Sequence, residues 1–194
     1  MKNSVDTYYF LGIGGIGMSA LARYFAAKGF RVLGYDRTPS PLTQSLEAEG
    51  IEVQYDDSLD RVKHLSGNKT IVVRTPAVPE DHPQMKYFRQ GGFKMEKRSQ
   101  MLGHLSEGKY VMAVAGTHGK TTTSTLIAWL NQSVGAGGNA FLGGISKNFE
   151  SNLVLGEGDR LAVEADEFDR SFLRLKPDVA VITSVAADHL DIYG

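Results

Sequence analysis

The 194-residue chain contains no cysteine. That excludes disulfide staples and thiolate metal centres, and it fits a reducing compartment. Neither sign of charge is in excess: 21 Lys and Arg against 22 Asp and Glu leave a formal net charge of −1. This balance argues against a broad surface for nucleic acid or membrane, so any anion site has to be local. No apolar run approaches the ~20 residues that span a bilayer. The start, MKNSVDTYYF, has no long apolar stretch before a small-residue cleavage site. A cytoplasmic location is the expectation. What is present is ample core material: 42% hydrophobic residues against 22% charged, a balance that rules out compositional disorder.

Short apolar runs alternate with helical patterns. Residues 8–11 read as a strand, 16–28 as a helix ending at Gly29, and 31–35 as a second strand. Residues 40–49 and 84–90 read as helices, with a strand at 71–73 between them. The stretch GGFKMEKRSQMLGHLSEGKY then brings charge and glycine. Beyond it the rhythm resumes, with a strand at 110–115, a helix at 120–131 and strands at 161–164 and 179–183. The glycine-rich segment 135–144 is expected to be a loop on a phosphate-facing surface. Strand, helix, strand in this order implies parallel pairing, so the expected class is α/β with a doubly wound parallel sheet. A boundary at Gly108 divides the chain into domains 1–108 and 109–194. Three strands are few for a second domain of this type, which predicts that these residues are the front part of a longer protein.

Two glycine turns carry the chemistry. Gly12-Ile13-Gly14-Gly15-Ile16-Gly17 satisfies G-x-G-x-x-G, follows a strand and opens a helix. Glycine there permits a tight turn and close approach of backbone to phosphate, with N–H groups at the helix start facing the anion. Asp36 ends the next strand, close to where a carboxylate hydrogen-bonds a nucleoside. From these residues alone an NAD site is a reasonable reading. The plainer one is a turn without ligand, with Asp36 capping a strand end.

The second turn, Gly116-Thr117-His118-Gly119-Lys120-Thr121-Thr122, departs from the usual G-x-x-x-x-G-K-[ST], which would place glycine at Val114. The shorter loop keeps the chemistry. Backbone N–H groups wrap phosphates, Lys120 neutralises β/γ oxygens, and the Thr121 hydroxyl can ligate Mg²⁺. Downstream, LAVEADEFD runs a buried strand into four carboxylates at the sheet edge where ligands bind. Glu164 and Asp166 alternate to one side of an extended chain. Glu164 is the first candidate metal ligand, because Mg²⁺ takes a few carboxylate or hydroxyl oxygens plus phosphate. Glu167 and Asp169 stay open between a site role and a solvated loop. His189 follows another strand end, a setting that favours a ligand role. His64, His82 and His104 read as surface or packing residues, and Trp129 as core.

With these motifs assembled, the sequence resembles the Mur ligases. The matching stretches are GIGGIGMSALA, Gly34-Tyr35-Asp36, TPAVPEDHP from Thr75, KRSQMLG, AGTHGKTTT, EADEFDRSF and DHLDIYG, in the family's order over nearly the whole chain. AGTHGKTTT together with EADE is the specific part. The resemblance implies a Rossmann-like domain that holds the UDP of a nucleotide sugar, followed by part of a P-loop α/β domain that holds ATP. A third domain would lie outside these residues, and the fragment is expected to be inactive alone.

The resemblance also implies an ATP-dependent amide-forming ligase of peptidoglycan precursor synthesis. ATP would phosphorylate the carboxylate of UDP-N-acetylmuramate, and L-alanine would attack the acyl phosphate. Carried to matching positions, ATP contacts fall to Gly116, Thr117, His118, Gly119, Lys120, Thr121 and Thr122. Mg²⁺ falls to Thr121, Glu164 and His189, and catalytic roles to Lys120, Glu164 and His189. The UDP-sugar falls to Gly14, Gly15, Ile16, Gly17, Asp36, Thr75 and Ala77. Ser184 and Ala186 depart from the asparagine and glutamate of the family's T-N-x-E-x-D-H, and Pro76 departs from a serine. No nucleic acid or membrane partner is implied. A ligase that attaches a ready-made tripeptide to the same sugar nucleotide is the nearest alternative. GIGGIGM, in place of its G-I-C-G-T-x-M, and the uninterrupted run after the acidic motif favour alanine. An NAD-dependent dehydrogenase would explain the first turn and leave Lys120 and Glu164 without a purpose.

Overall fold

The computed structural model describes residues 5–167 and 172–187, so Asp169 and His189 lie outside the described residues. The chain divides into two compact units, Met1–Arg98 and Ser99–Gly194, a division that falls ahead of Gly108. Each unit is an α/β layer structure with its own parallel sheet, the class implied by the alternation. Among the described residues no helix is long and apolar enough to cross a membrane.

The first unit runs β1 (Thr7–Leu11), α1 (Ile16–Ala27), β2 (Arg31–Tyr35), α2 (Pro41–Ala48), β3 (Glu52–Gln54), β4 (Thr70–Arg74), α3 (Pro83–Gln90) and β5 (Lys94–Lys97). Its strands lie in the order β3-β2-β1-β4-β5, every pair parallel. The central strand, TYYFL, is buried at all positions, as a strand covered on both faces requires. On one face Tyr8 stacks on Phe25 of α1 at 3.7 Å between ring centroids. On the other, Tyr9 packs with Leu33, Val72, Met85 and Phe88, and its hydroxyl donates to Gln84 Oε1 at 2.7 Å. Ser40 caps α2 in a reciprocal box with Thr43 and is followed by Pro41, which fixes where that helix starts. β5 lies in the stretch where the sequence showed charge and glycine but no element; its lysines suit an edge that must not pair further.

Strand order reverses at β1, with β2 on one side and β4 on the other. Register aligns Leu11 with both Tyr35 and Arg74. The residues that follow, Gly12, Asp36 and Thr75, therefore emerge together at the switch point where open α/β sheets take ligands.

The second unit contains most of α4 (Arg98–Ser106), then β6 (Tyr110–Ala115), α5 (Lys120–Ser133), β7 (Asn139–Ser146), β8 (Ser151–Val154), β9 (Arg160–Glu164) and β10 (Val179–Ile182). The order is β10-β6-β9-β7-β8, parallel except for the β7–β8 hairpin. Pairing of Val114 with Glu164 and of Ala115 with Ile182 brings Gly116, Ala165 and Thr183 to one edge.

Three expectations fail in this unit, the first being its size, since the sheet has five strands where three were expected. Residues 139–144 belong to β7 and are not loop. Glycine survives in that strand because a carboxylate closes on it: a Cβ on Gly143 would meet Glu164 Cδ at 2.8 Å. Trp129 is not core but 46% exposed. α5 lays small residues on the sheet, with Ala128 against Ala140, Leu142, Val154 and Ala162, and this leaves the indole on the outer side.

Candidate functional site

At the edge of the first unit the glycine turn is held from two sides. Asp36 Oδ2 accepts the Gly14 N–H at 2.7 Å, and Oδ1 accepts from Thr38 at 3.3 Å. A Cβ at Gly14 would lie 2.8 Å from both Asp36 Oδ2 and Thr43 Cγ2, so glycine is needed there for the fold itself. Gly12, at φ +86°, lies against Thr75 and Val78, where Ala77 N–H approaches Thr75 Oγ1 at 3.4 Å. Gly15 is different: it caps α1 in an extended conformation, and a Cβ there would come no closer than 3.5 Å to its surroundings. The Gly17 N–H has no hydrogen-bond partner among the described residues. Gly14, Gly15, Ile16, Gly17, Asp36, Thr75 and Ala77 are thus brought to one edge. Sequence reading missed Arg98, whose guanidinium rests over Gly17: a Cβ there would meet Arg98 Cζ at 3.2 Å. The KRS segment held that signal, a cation at the start of a helix.

The phosphate loop of the second unit begins at Gly116, φ +125°, and ends at Gly119, φ +83°, just before α5. Two of its N–H groups are occupied: Thr117 donates to the Ser184 carbonyl at 2.9 Å and His118 to Ser184 Oγ at 3.0 Å. Those of Gly119, Lys120, Thr121 and Thr122 have no partner among the described residues. Four convergent donors at a helix start form an anion cradle, reinforced by the helix dipole.

Lys120 Nζ donates to the Gly116 carbonyl at 2.6 Å and to Glu167 Oε1 at 2.8 Å. Glu167 is therefore tied to the lysine of the loop and is not a solvated acid. Glu164 Oε1 accepts from Ser124 Oγ at 3.0 Å and from Gly143 N–H at 2.6 Å. Its other oxygen and the Thr121 hydroxyl make no hydrogen bond among the described residues. Thr121 also lies at the β7 side, its methyl 3.4 Å from a Cβ built on Gly144. One free carboxylate oxygen and one free hydroxyl form the hard-oxygen donor set that Mg²⁺ accepts, so the residues fit that ion. Ser124 and Gly143 had no sequence signal as anchors, because the pairing of α5 with β7 that delivers them is tertiary.

Comparisons with known proteins agree with this fold. Residues 7–110 match the description "Mur ligase family, catalytic domain", and residues 114–194 match "Mur ligase middle domain". The UDP-N-acetylmuramate–L-alanine ligase of Porphyromonas gingivalis is 56% identical over 189 residues, which cover 96% of this chain and 41% of that protein. That of Christiangramia forsetii is 53% identical over 196 residues, covering 99% and 43%. Among solved structures, UDP-N-acetylmuramate-alanine ligase of Thermotoga maritima superposes with a TM-score of 0.87 at 32% identity, over 96% of this chain and 43% of that one. The UDP-N-acetylmuramate:L-alanyl-gamma-D-glutamyl-meso-diaminopimelate ligase of Neisseria meningitides gives 0.88 at 26%, over 98% and 64%. The chain spans about two fifths of the length of these curated relatives. With both of its units matched in order and more than half of its residues identical to the Porphyromonas protein, the chain belongs to the Mur ligase family.

Proposed function

We propose that these residues form the sugar-nucleotide and ATP-binding part of a ligase that joins L-alanine to the carboxylate of UDP-N-acetylmuramate. Members of the family are ATP-dependent and usually use Mg²⁺. The observation that carries the reading is one sheet edge holding a lysine-bearing anion cradle beside a carboxylate, Glu164, with one oxygen anchored and one open.

A carboxylate is a poor electrophile, and it must meet a triphosphate of like charge. In the proposed reaction its oxygen attacks the γ-phosphorus, ADP departs, and an acyl phosphate forms. The amine of L-alanine then adds to the carbonyl carbon, loses its proton, and the C–O bond to phosphate breaks to leave an amide. Lys120 exchanges Glu167 for phosphate oxygens and draws charge from the transferring group, while the N–H groups of Gly119 to Thr122 orient the triphosphate. Thr121 and Glu164 would hold Mg²⁺, which when bound supplies further charge neutralisation at the phosphates. The first-unit edge, with Gly14 to Gly17, Asp36, Thr75 and Ala77, would take the UDP portion. Its open Gly17 N–H and the adjacent Arg98 suit a diphosphate.

The test is twofold. Calorimetry on this chain should register UDP-N-acetylmuramate and ATP–Mg²⁺ but no NAD; NAD binding in place of the sugar nucleotide would sink the reading. In the full-length protein, phosphate release should require both UDP-N-acetylmuramate and L-alanine. Release driven by a tripeptide and not by L-alanine would move the protein to the tripeptide-adding class.

A further inference from the structure

The two glutamates that close β9 face different ways. Glu164 turns towards α5 and β7, where Ser124 and the Gly143 N–H hold one of its oxygens. Glu167 turns towards the loop after β6. Ala165 N–H donates to the Val114 carbonyl at 2.9 Å, which carries the chain past the start of that loop and delivers Glu167 to Lys120.

The lysine is thereby committed twice. Its side chain folds back over the loop to the Gly116 carbonyl at 2.6 Å and pairs with Glu167 Oε1 at 2.8 Å. The two side chains are only 17% and 24% exposed, so solvent ions screen the pair weakly. The N–H groups of Gly119 to Thr122 have no such commitment among the described residues. The backbone half of the cradle is open to an anion, and the charged half is held by an acid.

We propose that Glu167 is a positioning residue that latches Lys120 whenever no phosphate engages it. The proposal rests on the ATP-binding reading above and concerns the regulation of that same site. An incoming triphosphate has to draw the ammonium away from the carboxylate before the lysine can serve it. The competent arrangement is then a minor population, and apparent affinity falls by that fraction. Once the nucleotide departs, the carboxylate takes the lysine back, which favours release of ADP.

Glu167→Gln keeps the shape and removes the charge. In the 194-residue chain it should tighten ATP–Mg²⁺ about tenfold by calorimetry. Without nucleotide it should lower the melting temperature by a few degrees. The signs differ because a latch stabilises the nucleotide-free chain and competes with the ligand. On a Lys120→Met background the Glu167→Gln change should no longer lower the melting temperature, since no ammonium remains to be held. Weaker ATP–Mg²⁺ binding by Glu167→Gln would make the acid part of the scaffold and overturn the latch. Tighter binding at an unchanged melting temperature, or an equal melting loss on the Lys120→Met background, would overturn it too, because the carboxylate would then act without the lysine. In all three cases the parent chain still binds ATP–Mg²⁺ and the ATP-binding reading stands. A parent chain that binds no ATP–Mg²⁺ overturns that reading itself, and the latch with it.

Discussion

Glu164 shows how one carboxylate is held by a single oxygen with the other left over. Ser124, fully buried, and the Gly143 N–H fix the same oxygen and thereby aim the other. Ser124→Ala removes a hydrogen bond to a charged acceptor, worth about 1.5–3 kcal/mol in such settings. The melting temperature should fall, and ATP affinity should become less dependent on Mg²⁺; an unchanged Mg²⁺ dependence would show that the aim of Glu164 does not matter. His82 gives a second test. Its ring packs on Tyr35 at 4.5 Å, and both ring nitrogens are buried without a hydrogen-bond partner among the described residues. Burial pushes the imidazole below its ordinary value of 6.5, opposed by the nearby Asp57 and Asp81. The unfolded chain therefore takes up this proton more readily than the folded one. The stability associated with neutral His82 is complete above 6.5 and is lost as pH falls through that value and on through the lower folded one. His82→Gln should flatten the drop in urea midpoint between about pH 7.5 and 5.5. A drop as steep as in the parent chain would assign it to other groups.

Three residues after β10 act as a brace for the phosphate loop. Thr183 Oγ1 lies 3.1 Å from the Ala115 carbonyl and 2.5 Å from that of His118, Ser184 holds the Thr117 and His118 N–H groups, and the Ala186 N–H reaches Thr117 Oγ1 at 3.0 Å. Gly116 is pinned in turn, since a Cβ there would meet Ser184 N at 2.9 Å. Thr183→Val keeps the shape and removes the hydroxyl. It should cost about 1–2 kcal/mol and weaken ATP several-fold with no effect on the sugar nucleotide; equal weakening of both would mean that the brace serves general stability. The central strands of both units, four of the helices and both glycine turns were legible because they rest on local pattern and backbone need, whereas β3, β5, α4, β7 and β8 were not read. Glu167, Ser124 and the Ser184 brace were not, because each depends on which strand lies beside which. The glycines of β7 were misread for the same reason: they look like loop until the Glu164 carboxylate that requires them is placed. Trp129 misled through its size, since hydrophobicity alone does not say which face of α5 meets the sheet.

At the scale of the whole chain, two sheets each end in their own candidate edge, and no residue assigned to one edge comes from the other unit. The proposed chemistry asks for this, since its acceptor and phosphate donor would both be polyanions that need separate cradles. Separate cradles make separable mutants. Gly15 is the position to alter in the first, because its extended backbone tolerates any residue and the nearest protein atom is 3.5 Å from a Cβ. Gly15→Val should leave the melting temperature almost unchanged, weaken UDP-N-acetylmuramate by tenfold or more, on the order of 1.4 kcal/mol, and leave ATP alone. Lys120→Ala should do the reverse. It removes the charge that neutralises the triphosphate and frees Glu167 to repel it, so ATP binding and all ATP-dependent chemistry should be lost while UDP-N-acetylmuramate binds as before. The double variant should show the sum of the two effects, because sites without shared partners add. Calorimetry on all four proteins decides the matter: if either single change weakens both ligands alike, the two helix starts are not independent seats, and the assignment of one anion to each is wrong.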